Sequence, residues 1–182
     1  MINFQDAELL SMFKTREGKE QAFNILVTTY QEKIYHTVRR LVIIHEDADD
    51  IVQNTFIKVW KNIDQFREDS RLYTWVYRIA INEALSFLKS KKIRSLFFMD
   101  SYEVKLAQSL TDDNFFHGNE VQRKLQTAIL RLPEKQRAVF NMRYFDELSY
   151  DEMSEISGTS VGALKASYHI AAKKITEFIT SD

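Results

Sequence analysis

The sequence has no cysteine in 182 residues, which excludes disulfides and thiolate metal sites. It has one proline and four glycines, so few positions interrupt the chain, and helices are predicted throughout. No apolar stretch approaches the roughly 20 residues that cross a bilayer. The opening MINFQDAELL lacks the basic start and apolar run of a secretory signal. These absences fit a cytoplasmic protein. The four histidines are scattered without metal-ligand spacing. There is no glycine-rich phosphate loop, and no serine or carboxylate is paired with a base. The expectation is a protein that is not an enzyme and has no metal, cofactor or small-molecule substrate. A basic surplus is missing as well, since the net charge is −1. Stand-alone DNA binders usually carry one, so a DNA binder of this charge is expected to act within a larger complex.

Charge is unevenly spread. Residues 1–94 and 120–182 are near neutral, while 95–119 hold one lysine against four acids. The predicted organisation is all-α, with two small helical domains, 1–94 and 120–182, joined by a flexible acidic linker, 95–119.

In the first domain a short helix is predicted over Asp6–Lys14, with Asp6 as its N-cap. A second spans about Lys19–Ile44. The third has the clearest pattern: Ala48, Ile51, Val52, Thr55, Phe56, Val59, Trp60 and Ile63 recur at alternating steps of three and one, a single broad stripe. Acidic residues crowd its first turn, where they suit the helix dipole. A polar segment, 64–70, precedes a fourth helix from about Arg71 to Lys92, with Leu72, Trp75, Val76, Ile79, Ala80, Phe87 and Leu88 on its inner stripe. The basic cluster Lys89, Lys91, Lys92 and Arg94 closes it.

In the second domain, helices are predicted over about Glu120–Arg131 and from Pro133, as first helical residue, to about Phe145. The stretch from Ser149 to Val161 has helix-turn-helix grammar. Ser149 with Glu152 makes a capping box. Gly158 supplies a left-handed turn, and Ser160 caps a last helix to about Phe178. On that helix Val161, Leu164, Tyr168, Ala171 and Ile175 face inward. Gly162, Ala163, Ala166, His169, Ile170 and Lys173 lie opposite, with Lys165 at the margin. Small residues permit close approach to a DNA groove, and Ser160 or Lys165 is placed for phosphate contact.

These residues resemble a known family. Asp47-Ala48-Asp49-Asp50-Ile51-Val52-Gln53-Asn54-Thr55-Phe56 through Trp60 resembles the acidic-start pattern of sigma factor region 2. Tyr73-Thr74-Trp75-Val76-Tyr77-Arg78-Ile79-Ala80-Ile81-Asn82 is similar to its "TWLYRIARN" block. Leu132-Pro133-Glu134-Lys135-Gln136-Arg137, then Leu148-Ser149-Tyr150-Asp151-Glu152-Met153 and Val161-Gly162-Ala163-Leu164-Lys165, resemble region 4. With two regions and a short linker, the chain is identified as a member of the extracytoplasmic-function group of sigma factors.

The resemblance implies a transcription initiation factor that carries core RNA polymerase to promoter DNA and assists melting. It places polymerase docking on Asp49, Asp50, Gln53, Asn54 and Lys58. Contacts to the −10 element fall on Phe66, Arg67, Ser70, Tyr73, Arg78, Asn82 and Lys89. Those to the −35 element fall on Thr159, Ser160, Gly162, Ala163, Lys165, Ala166, His169 and Lys173. It makes Asp112 and Asp113 an acidic mimic of RNA, and names a membrane-associated anti-sigma factor as a further partner. The chain departs from the pattern at Ser86, where Asp is typical, and at Lys89, Ser167 and Ile170, where Arg is usual or frequent. An unusual, thymine-rich −35 preference is therefore expected. The alternative is a helix-turn-helix regulator that binds DNA without polymerase.

Overall fold

The computed structural model describes residues 4–15, 17–98, 110, 113–116 and 120–181. Among them are eight α-helices and no strand: α1 (Phe4–Phe13), α2 (Gly18–Val42), α3 (His45–Asn62), α4 (Leu72–Phe98), α5 (Glu120–Leu130), α6 (Glu134–Tyr144), α7 (Tyr150–Ser157) and α8 (Val161–Thr180). Single 3-10 turns cover Ile63–Gln65 and Asn114–Phe116.

Helices α1 to α4 form the first unit. The stripe of α3 is buried at Ala48, Ile51, Thr55, Phe56, Val59 and Ile63, as its spacing predicts, while Val52 and Trp60 are only half-buried. Thr55 tolerates burial because its hydroxyl donates to the carbonyl of Ile51 at 2.7 Å. Asp6 does not cap α1. The helix begins at Phe4, and Asp6 is buried inside it, accepting a hydrogen bond from the Tyr30 hydroxyl on α2 at 3.2 Å. A neighbouring helix thus supplies a partner for this carboxylate. Helix α4 runs to Phe98, past the point where the linker was expected to begin. Asp112 lies outside the described residues.

Helices α5 to α8 form the second unit. Pro133 is the N-cap of α6, with ψ at 142°, so the helix starts one residue later than predicted. The capping box at Ser149 is complete. Its hydroxyl accepts from the Glu152 amide at 3.2 Å, and its amide donates to the Glu152 carboxylate at 2.9 Å. Gly158 closes α7 at φ 65°, a left-handed conformation that costs an L-residue about 1–2 kcal/mol. Ser160 caps α8 by accepting from the Ala163 amide.

The two units pack face to face. Ala138, Val139 and Met142 of α6, Met153 and Ile156 of α7, and Leu164 of α8 belong to the same buried cluster as Leu26, Val38, Ile51, Val59, Val76 and Ala80 of the first unit. A smaller cluster of Ala128, Ile129, Leu132, Phe140, Ala171 and Ile175 holds α5, α6 and α8 together. Polar contacts sharpen the seam. A helix leaves its last four carbonyls without partners inside the helix. In α2 the carbonyls of Arg39 and Val42 accept from the amides of Ile43 and Ile44. Those of Arg40 and Leu41 accept from Asn141 and Arg137 of α6, at 3.3 and 3.0 Å. The second unit thus completes the C-terminus of α2.

Candidate nucleic-acid interface and docking groove

Because α2 and α3 bring their stripes together without closing over Val52 and Trp60, a groove of about 980 Å³ runs between them. Phe23, Val27, Val52, Phe56, Ile57 and Trp60 supply its apolar lining, and Glu20, Asp49, Asp50 and Gln53 its polar edge. Phe23 meets Trp60 edge-on at 4.9 Å, which fixes the floor. Of the five residues expected at a docking surface, Asp49, Asp50 and Gln53 line this groove. Asn54 and Lys58 are exposed but do not line it, and Lys58 forms an ion pair with Glu83 on α4. The reason is angular: along α3 the exposed arc is wider than the groove, so one sequence block feeds two surfaces. The α2 residues Phe23, Asn24 and Gln31 complete the groove. Sequence reasoning missed them because α2 shows no motif around them.

The segment before α4 is tethered to the start of the chain. Lys19 pairs with Asp64 at 2.7 Å and Lys14 with Glu68 at 3.5 Å. Glu68 holds φ at 61°, unusual for a residue with a side chain. Phe66 packs on Trp75 at 5.3 Å, so both rings are half-buried and serve the packing of this loop on α4. Arg67, Asn82 and Lys89 are exposed, whereas Ser70, Tyr73 and Arg78 are half-buried. Tyr73 sits between Tyr30 (5.3 Å) and Tyr77 (5.7 Å). Burial, and then the Asp146 carboxylate, push its hydroxyl pKa up to about 12. Tyr77 is fully buried, and its hydroxyl donates to Asp146 at 2.6 Å. The expected −10 face is therefore split. Its outer residues are open, while its tyrosine end lies under the second unit.

In the second unit every expected −35 residue is exposed: Thr159, Ser160, Gly162, Ala163, Lys165, Ala166, His169 and Lys173. Leu164, Ala171 and Ile175 are buried, and Val161 and Tyr168 half-buried, as their spacing predicts. A side chain added at Gly162 would meet nothing within 4 Å, so this face is unobstructed. Lys165 lies 5.6 Å over the ring of Tyr150, which holds its ammonium beside the start of α7. Ile170 is 44% exposed, an apolar side chain amid the outward polar face.

A helical bundle with a docking groove, packed against a helix-turn-helix whose second helix presents a free face, defines a DNA-binding transcription protein assembled from two units. The chain matches Sigma-70 region 2 over residues 26–93 and Sigma-70, region 4 over residues 122–175. It is 34% identical over 161 residues to the ECF RNA polymerase sigma-E factor of Escherichia coli, covering 84% of each chain. To the ECF RNA polymerase sigma factor SigW of Bacillus subtilis it is 31% identical over 166 residues, covering 86% of this chain and 88% of that one. Its fold is similar to that of CnrH solved with the cytosolic domain of CnrY, at a TM-score of 0.70, 22% identity and 97% and 98% coverage. It is also similar to the sigma factor RpoE of Bartonella quintana solved with the anti-sigma factor NepR, at a TM-score of 0.64, 20% identity and 88% and 98% coverage. The chain belongs to the ECF sigma factors of the sigma-70 family, and is a promoter-directing initiation factor of RNA polymerase. A regulator acting without polymerase leaves the region 2 match unexplained.

Proposed function

We propose a division of labour among the surfaces described. The α2–α3 groove docks on core RNA polymerase through Asp49, Asp50 and Gln53. Arg67, Tyr73, Arg78, Asn82 and Lys89, with the loop from Phe66 to Ser70, take the −10 element. The outward face of α8, from Thr159 to Lys173, takes the −35 duplex. The chemistry of RNA synthesis falls to polymerase, and the chain works in the cytoplasm. Among the described residues no helix is long and apolar enough to cross a membrane. An anti-sigma protein is a further partner, as it is for the Bartonella quintana relative.

The observation that carries this reading is the groove. Its apolar floor and acidic rim suit an amphipathic, basic helical element of a larger protein. Carboxylates at the rim set orientation and rate of encounter more than folding stability. Replacing Asp50 by Arg changes an exposed residue, so thermal stability should shift by no more than about 0.5 kcal/mol. Copurification with core polymerase and promoter-specific run-off transcription should both be lost. Full retention of both activities by the Asp50→Arg, Gln53→Ala double variant would overturn the assignment.

A further inference from the structure

Asp146 occupies an unusual position. It lies in the turn after α6 and reaches across the seam into the first unit. Its carboxylate accepts from three side chains there: the Arg40 guanidinium, the Thr37 hydroxyl at 3.2 Å and the Tyr77 hydroxyl at 2.6 Å. The turn is shaped for this. The amides of Phe145 and Asp146 both donate to the Asn141 carbonyl, and Glu147 takes a left-handed φ of 53°. Phe145 lies under the Arg40 guanidinium at 5.0 Å. Beside the carboxylate is a cleft of about 390 Å³ lined by Lys33, His36, Arg40, Tyr73, Phe145 and Asp146. Three donors of one unit thus converge on one oxyanion of the other. Next to it stand further basic side chains and an aromatic ring.

Cationic side chains beside an aromatic face are what a single nucleic-acid strand requires. The packed chain does not match a promoter in length. Elements centred near −10 and −35 lie ~85 Å apart at about 3.4 Å per base pair. A compact chain of 182 residues has a radius of gyration of ~16 Å, and so a diameter of ~40 Å. Both elements can be held only after the units part, and parting removes Asp146 from its three donors.

We propose that Arg40, Thr37 and Tyr77 form a binding site for a backbone phosphate of single-stranded DNA, and that Asp146 fills it in the closed chain as a phosphate stand-in. Strand and carboxylate compete for the same donors. Capture of a melted strand therefore holds the chain open, and the closed chain captures strands poorly. This rests on the reading of the chain as a promoter-binding factor.

The test titrates a short fluorescein-labelled single-stranded oligodeoxynucleotide with the full chain and with three variants: Asp146→Ala, Arg40→Gln and the double. Asp146→Ala should bind the strand tighter by roughly 5- to 150-fold, the usual range of such coupling. Arg40→Gln breaks the same latch but should not gain. The salt dependence of Asp146→Ala should exceed that of the double variant by about 0.7 in log–log slope, one strand phosphate. An unchanged affinity in Asp146→Ala, or an equal gain in Arg40→Gln, would overturn the proposal. A second arm stands even if these variants fold poorly. Since the chain has no native cysteine, Lys61→Cys and Thr176→Cys carry a dye pair, and strand addition should lower energy transfer. Strand binding without separation would also overturn it. Copurification of Asp146→Ala with core polymerase reports separately on the promoter-factor reading. If only that reading fails, strand affinity rises without polymerase association. If only the phosphate site fails, association persists without the rise.

Discussion

Removing either partner of one ion pair should have unequal consequences. Arg39, at the end of α2, is fully buried, and its guanidinium is bound by Asp113 from the segment between the two units. The rings of Phe115 and Phe116 lie 5.3 and 4.8 Å from it. Asp113→Asn leaves a buried cation without its counter-charge, which costs about 3–5 kcal/mol when both partners are deeply buried. Here the Asp113 side chain is 29% exposed, so water can approach from that side. The expected cost is therefore nearer ~2 kcal/mol, or about 4–8 °C in Tm at ~2–4 °C per kcal/mol for a chain of this size. Arg39→Met removes the cation itself. The thioether keeps contact with the two rings, and Asp113 is left where it can hydrate, so the loss should stay below about 1 kcal/mol. Thermal unfolding followed by circular dichroism measures both variants on the same scale. If Arg39→Met loses as much stability as Asp113→Asn, the ion pair is not what holds this segment down and the reasoning is refuted.

Three further outcomes are expected. Gly158→Ala should lower stability by about 1 kcal/mol, because φ is 65° there, while Gly162→Ala, in open space within a helix, should raise it by about 0.5–1 kcal/mol; equal effects in thermal melts would contradict this. The Tyr73 pKa, about 12 in the fold against about 10 when exposed, is raised, so its contribution to stability is whole below pH ~10 and is lost as pH rises through ~12. Ultraviolet titration should show this tyrosinate forming at lower pH in Asp146→Ala, and an unmoved midpoint would deny Asp146 its part. Selection from a random −35 library with reconstituted holoenzyme should recover thymine-rich sites, since Ala163, Ala166 and Ile170 offer methyl contacts and the face lacks arginine. A strict guanine at a contacted position would contradict it.

Where burial is confined to one stripe of a helix and the opposite face stays exposed, the sequence was legible. The stripes of α3 and α8 and the turn at Gly158 follow from spacing and capping chemistry alone. Helix α4 was harder, because it is buried on two sides. Tyr77, Ile81 and Ala84 are buried in addition to Leu72, Val76, Ala80 and Leu88, and a double-faced burial leaves no clean period to read. Its extension to Phe98 was hidden by the basic cluster at 89–94, which reads as a helix end, although no glycine or proline follows before Gly118. Least legible were the polar residues of the seam. Asn141, Arg137 and Asp146 look like surface residues in sequence, yet each meets a backbone or side-chain partner about a hundred positions away. No local pattern encodes such contacts, because their reason lies in another helix: its unfilled carbonyls for Asn141 and Arg137, its side-chain donors for Asp146.

The seam also separates the two surfaces proposed to contact DNA. In the packed chain the outward face of α8 is unobstructed, so contact with duplex does not require the units to part. The tyrosine end of α4 is covered, with Tyr73 half-buried and Tyr77 inaccessible. Any interaction that needs those rings must first expose them, at the cost of the α2 carbonyl caps and the contacts of Asp146. Under the assignments proposed above, duplex contact through α8 is thereby uncoupled from strand capture at the α2–α4 side of the seam. If polymerase docks on the α2–α3 groove as proposed, it sits away from the seam and is free to bind either arrangement, and the energy that parts the units has to come from contacts made only in the open one.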